Sequence, residues 1–250
     1  MTQDLFRQDA YLRECSAHIT AVTDTGIVLD QTVFYPLGGG QAGDSGVLVL
    51  ADGTQITIAD TRKGKDADGN PTSDIVHIPA PGQEDRVAQL TPGTTVTARI
   101  DWERRHRMMR LHTTSHLLCH VVPQLVNGCS ITPDYARLDF AMTDPLDKEQ
   151  LTAAIATLVA AAHPLIVASI SDEELDANPA LVKSMSVQPP RGTGRIRTIR
   201  IGGEADAPLI DLQPCGGTHV ANTSEIGAIV VTKIEKKSAT TRRVVLGFAQ

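Results

Sequence analysis

Up to residue 100, apolar positions recur in short runs of period two separated by turn residues. This predicts strands over 17–23, 26–30, 46–50, 55–61, 74–79 and 95–100. Asp24-Thr25-Gly26 and Asp52-Gly53 have the composition of hairpin turns. KGKDADGNPTSD (63–74) is mostly charged and polar and reads as a polar surface loop. Evenly spaced short strands of this kind predict a small β-barrel over 1–94. From Asp101 the period changes. Asp101 is a helix N-cap, and 102–121 reads as a helix that ends near Pro123. A second helix is expected from Asp144 with Pro145 at its first position, carrying Leu151, Ile155, Leu158 and Val159 as an apolar stripe. Ser171 and Glu174 have capping-box spacing for a short third helix. Strands follow over 165–169, 195–201, 226–234 and 242–248. The predicted class is therefore α+β: an N-terminal small β-barrel domain (1–94), then an α+β domain (95–250) with a sheet packed on a long helix. The boundary is placed around Pro92–Thr95, without a long linker.

At 250 residues with 41% hydrophobic and 21% charged positions, the composition is that of a folded globular protein. No apolar run approaches the ~20 residues of a membrane span, and the first residues carry no export-signal pattern, so no membrane partner is expected. Cys15, Cys119, Cys129 and Cys215 lack disulfide-type spacing, which points to a reducing cytoplasm.

The net charge of −6 argues against gripping nucleic acid by bulk electrostatics. Cations are nevertheless grouped: Arg104, Arg105, Arg107 and Arg110; Arg191, Arg195, Arg197 and Arg200; Lys233, Lys236, Lys237, Arg242 and Arg243. Any one group is a solvated face by default. Three around one candidate site point to a polyanionic substrate.

That site is a pair of ligand motifs. His112-Thr-Thr-Ser-His116 places two imidazoles one turn apart on one helix face. Cys215-Gly-Gly-Thr-His219 offers a thiolate and an imidazole across a turn that glycine allows to close. Together they are a nitrogen–sulfur set suited to tetrahedral zinc. Four protein ligands fit a structural ion, and three plus water a catalytic one; the spacing serves both. His120 is a spare ligand candidate that reads more readily as a core residue or a support behind the ligands, and Cys119 and Cys129 read as buried small side chains.

HTTSHLL (112–118), CGGTHV (215–220) and FYPLGGGQAGDSG (34–46) resemble the motifs of the editing domain shared by alanyl-tRNA synthetases and the free-standing AlaX proteins. RLDF (137–140) and the C-terminal EIGAIVVTKIEKK are similar to further family segments. With no class II aminoacylation core in the sequence, the likeness is to the medium-sized AlaX type. The resemblance implies a zinc-dependent deacylase acting on tRNA(Ala) mischarged with serine or glycine, with zinc on His112, His116, Cys215 and His219. Where the family usually has threonine before the second zinc histidine, this chain has Ser115; near Ser130 it lacks the family's common glutamine.

Thr114 and Ser115 are the expected sensors of a serine hydroxyl, the competing reading being bonds to their own helix backbone. Gly38, Gly39, Gly40 and Gln41 are expected at the acceptor end of the tRNA, the alternative being a packed glycine loop. Arg242 and Arg243 are expected on its backbone. Asp139 and Asp211 are candidate bases for which capping or ion pairing is the stronger reading. Two rivals stand beside this: a zinc-stabilised RNA-binding module without turnover, and a zinc hydrolase for another ester or amide, disfavoured by the missing HExxH.

Overall fold

A computed structural model of the chain describes residues 1–189, 194–203 and 208–249. Its compact units are residues 1–38 with 42–106, and residues 39–41 with 107–250. No helix among the described residues is long and apolar enough to cross a membrane.

The first unit carries β1 (Gln3–Asp4), β2 (Glu14–Thr23), β3 (Gly26–Leu29), β4 (Gln31–Thr32), β5 (Gly46–Leu50), β6 (Gln55–Lys65), β7 (Pro71–Pro79), α1 (Glu84–Val87), β8 (Thr95–Ile100) and the start of α2 (Trp102–Val121). Six of these strands pair in the closed order β2-β3-β7-β6-β5-β8. Closure is made by β8, which pairs antiparallel with both β2 and β5. The inward positions of the alternating strands, among them Ile19, Leu29, Leu48, Ile56, Ile58 and Ala98, form one core. β8 completes this ring, and the compact units divide after His106, inside α2, rather than at the expected 94/95. The expected polar loop at 63–74 is also corrected. Its ends extend β6 and β7, and only the tip, held by Asp66, turns. Strand pairing had no hydrophobic signal there because both sides of the hairpin are largely solvated.

α2 starts as predicted, with Asp101 Oδ1 accepting from the Arg104 N–H at 3.1 Å. The second unit continues with β9 (Val126–Ile131), β10 (Tyr135–Ala141), α3 (Lys148–Ala160), β11 (Leu165–Ile170), α4 (Asp172–Ala177), β12 (Ile196–Gly202), β13 (Leu209–Pro214), β14 (Ile229–Ser238) and β15 (Thr241–Phe248). They form a sheet of order β14-β15-β10-β9 and another of order β11-β12-β13. The class is thus mixed α and β with strands predominating. α3 begins at Lys148, not Asp144, because Asp147 caps it by accepting from the Gln150 N–H. The Ser171–Glu174 capping box is present at α4. β9, β10 and β13 have no counterpart in the sequence reading. β14 starts three residues after the expected 226, since Thr223–Ile226 form a 3-10 turn.

Candidate metal centre

α2 is buried over its middle turns, where His112, Thr113, Thr114, Ser115 and His116 are all covered. His112 and His116 meet the Cys215–His219 turn that follows β13, and one ligand atom from each of His112, His116, Cys215 and His219 lies within 4.8 Å of the other three. Cys215 Sγ is 3.5 Å from His112 Nε2 and 3.2 Å from His219 Nε2. A tetrahedral zinc with Zn–N of about 2.0–2.1 Å and Zn–S of about 2.3 Å sets such edges at roughly 3.5 Å, so these two separations and the nitrogen–sulfur donor types are consistent with that ion.

The far nitrogen of each imidazole is held. His116 Nδ1–H donates to Asp211 Oδ2 at 2.7 Å, and Asp211 also pairs with the Lys183 ammonium. His219 Nδ1 lies 3.2 Å from Thr113 Oγ1, which accepts from the Val220 N–H. His112 Nδ1 lies 2.8 Å from Gln41 Oε1. Metal-binding histidines commonly have their second nitrogen engaged in this way, which leaves Nε2 for the ion. The turn itself is braced by Arg197, whose Nη1 donates to the carbonyls of Cys215 and Gly217 at 2.6 and 3.1 Å. Gly217 permits the contact: a Cβ there would stand 2.1 Å from His112 Cε1.

Burial alone would raise the Cys215 thiol, but the His112 and His219 imidazoles beside it hold it well below the usual range. Burial disfavours charge on His116, yet the Asp211 carboxylate and the Cys215 sulfur outweigh it and raise the imidazole to about 9. Asp211, against its own desolvation, is drawn down to about 2 by His116 and Lys183. Burial first, then His112, pushes His219 well below the ordinary range. A thiolate among imidazoles is a soft, anionic donor set suited to a borderline divalent cation.

Other expected residues lie elsewhere or act differently. Thr114 Oγ1 and Ser115 Oγ donate to the carbonyls of Arg110 and Leu111, one turn back. Gly39 and Gly40 run beside β9, where Gly40 O accepts from the Ile131 N–H. At Gly40 (φ 85°) a Cβ would meet Cys129 Sγ at 2.4 Å. Gln41, expected at the acceptor end of the tRNA, is fully buried. Arg242 is also largely buried and donates to the carbonyls of Thr143, Ser238 and Thr241. Arg243 pairs with both oxygens of Asp139 at 2.7 and 2.8 Å. Both guanidiniums thus bond within the fold, at the two positions where the sequence led to the expectation of a tRNA contact. Asp139 is an ion-pair partner, lowered chiefly by its bond to Arg243. Of the first arginine group, Arg105 is buried and pairs with Asp44, Arg104 donates to the Gly43 carbonyl, and the partly exposed Arg107 and Arg110 lie on the Phe248 ring. Arg191 lies outside the described residues. His120 is exposed rather than part of the core, and Cys129 is half-buried. Sequence reasoning missed Thr113, Lys183 and Arg197 as supports of the site, since each meets its partner only through the fold.

Residues 196–245 match the family described as Threonyl and Alanyl tRNA synthetase second additional domain, and residues 7–104 match tRNA synthetases class II (A). The latter stretch is the closed antiparallel sheet and the first residues of α2. The alanyl-tRNA editing protein AlaX-M of Saccharolobus solfataricus is 32% identical over 248 residues, covering 98% of both chains. AlaX-M of Methanosarcina acetivorans is 31% identical over 253 residues, again covering 98% of both. An alanine–tRNA ligase of Sulfurisphaera tokodaii is 32% identical over 249 residues, which are 94% of this chain and 25% of the ligase. With both motif halves meeting at one centre and the likeness running from end to end, the chain belongs to the AlaX-M family of alanyl-tRNA editing proteins.

Proposed function

We propose that the chain is an alanyl-tRNA editing hydrolase that cleaves the ester of tRNA(Ala) mischarged with serine, and of the glycine ester as a second substrate, at a zinc site on His112, His116, Cys215 and His219. The observation that carries this reading is the convergence of three imidazoles and a thiolate within one ligand-sized space. Zinc held there supplies Lewis acidity towards the ester carbonyl or the attacking water.

The residues of the chain divide the remaining work. Asp211, Thr113 and Gln41 aim the imidazoles, and Arg197 keeps the Cys215 turn closed on α2. Ser115 Oγ, having donated its proton to Leu111 O, retains lone pairs to accept from a substrate hydroxyl. A site arranged around that bond leaves a buried acceptor unpaired when alanine enters, which favours release over hydrolysis. Thr114 plays the same part on the adjoining position. The exposed Gly39 and its neighbours Gly38 and Gly40 lie at the terminal nucleotide in this reading. Lys236 and Lys237, exposed on β14 with no ion pair among the described residues, take the backbone role first given to Arg242 and Arg243.

The test is deacylation of Ser-, Gly- and Ala-tRNA(Ala) by the purified protein, with His116→Ala and Cys215→Ala as controls. Hydrolysis of the serine ester, sparing of the alanine ester and loss in both variants are expected. Four protein donors also suffice to close a tetrahedron, which favours a second reading as a zinc-stabilised RNA-binding module. Zinc-loaded protein that binds tRNA(Ala) and deacylates none of the three would establish that reading instead.

A further inference from the structure

Gln41 is drawn from the glycine-rich segment into the second unit, where its amide is wholly enclosed. Gln41 Oε1 accepts from the Thr218 backbone N–H at 3.1 Å, and Nε2 donates to Thr218 Oγ1 at 2.9 Å. A backbone N–H can only donate, so the amide atom facing it is the oxygen. That same oxygen stands 2.8 Å from His112 Nδ1, so Nδ1 carries the proton of this bond. Nε2, the atom 3.5 Å from Cys215 Sγ, is left with its lone pair facing the other donors. One side chain thus reads both ligand motifs: it fixes a histidine of the first and the threonine that precedes the histidine of the second.

From this geometry we infer that Gln41 is a positioning residue for the metal centre, setting the tautomer and ring orientation of His112 and holding the Cys215–His219 turn against α2. The inference rests on the zinc reading and deepens it, since it assigns to the glycine-rich segment a task at the centre as well as any contact with RNA. Asp211 serves His116 with a charged acceptor; Gln41 serves His112 with a neutral one, which adds no further negative charge beside the Cys215 thiolate.

The test uses the full chain, with Gln41→Ala and Gln41→Glu. A carboxylate keeps both acceptor functions, towards His112 Nδ1–H and the Thr218 N–H, whereas alanine removes them. Zinc affinity is measured by chelator competition, and the ligand field by the visible spectrum of the cobalt(II)-loaded protein. Gln41→Ala is expected to bind zinc about 10–100-fold more weakly and to show an altered cobalt spectrum, with Gln41→Glu restoring both towards wild type. Folding of each variant is checked by circular dichroism before loading; if Gln41→Ala fails to fold, Gln41→Glu against Gln41→Met gives the same comparison. Wild-type affinity and spectrum in the acceptor-free variant would overturn the inference while leaving the zinc site standing. Wild-type protein that takes up neither zinc nor cobalt would overturn the zinc reading and this inference together. Loss of metal in the variant with no deacylation by the wild type would sustain the inference and remove the hydrolase reading alone.

Discussion

His116 and Asp211, 95 positions apart, meet through an Nδ1–H···Oδ2 bond of 2.7 Å at the floor of the metal centre. Asp211→Ala removes the acceptor and leaves Lys183 without its partner. Zinc affinity is expected to fall about 10–100-fold, with a smaller fall in Asp211→Asn, which keeps an accepting oxygen. Chelator competition at fixed pH checks this, and equal affinities for all three proteins would contradict it.

The Asp44 carboxylate and the Arg105 guanidinium form an ion pair from which water is wholly excluded. Arg105 also donates to the carbonyls of Ala10 and Val33, and Asp44 accepts from the Tyr35 N–H. Removing one partner strands the other charge, so Asp44→Ala is expected to lower stability by about 3–5 kcal/mol. The double variant Asp44→Leu/Arg105→Met should be less destabilised than the single one. Urea unfolding of the metal-loaded proteins measures both.

His77 supplies an acid-lability that does not involve the metal centre. It is fully buried, donating from Nδ1 to Ile27 O and accepting at Nε2 from the Thr32 hydroxyl. Burial lowers its pKa from 6.5 to about 4. Between those values the unfolded chain binds a proton that the folded chain refuses, so stability is full above pH 6.5 and falls as the pH drops to 4. The loss amounts to about 3 kcal/mol. In His77→Asn the difference in unfolding free energy between pH 7 and pH 4 should shrink by that order; an unchanged difference would exclude His77 as its source.

Lys236 and Lys237 should be separable from Arg242 by salt. Replacing both lysines with alanine is expected to reduce the slope of log K against log [salt] for tRNA binding by about 2. Arg242→Ala should instead cost about 2 kcal/mol of stability through its orphaned carbonyl partners and leave the slope unaltered. Filter binding at several salt concentrations, with thermal unfolding alongside, distinguishes the two.

The ligand residues were legible in the sequence because one motif obeys helical spacing and the other a glycine turn. α2 and α4 were legible because Asp101 and Ser171 are local capping signals. β9 was not: VNGCSI buries only Val126 and Ile131 at its ends, so no alternation marks it. β10 alternates, but Arg137 and Asp139 on its outer side disguised a strand as a charged segment. The arginines misled for the opposite reason. A guanidinium looks the same in a sequence whether it faces solvent or, like Arg105 and Arg242, satisfies buried carbonyls. Gln41 offered no local sign of its role because its partners lie 71 and 177 positions away.

The second unit is discontinuous, and this bears on how the protein can be divided. A gene fragment starting at residue 107 would encode every metal ligand yet omit Gln41, the acceptor for one of them. A fragment ending at residue 94 would lack β8 and so expose the hydrogen-bonding edges of β2 and β5, an invitation to self-association. Neither half is a cassette that can be lifted out and grafted elsewhere; shortened versions need to retain the chain from β2 through the Cys215 turn.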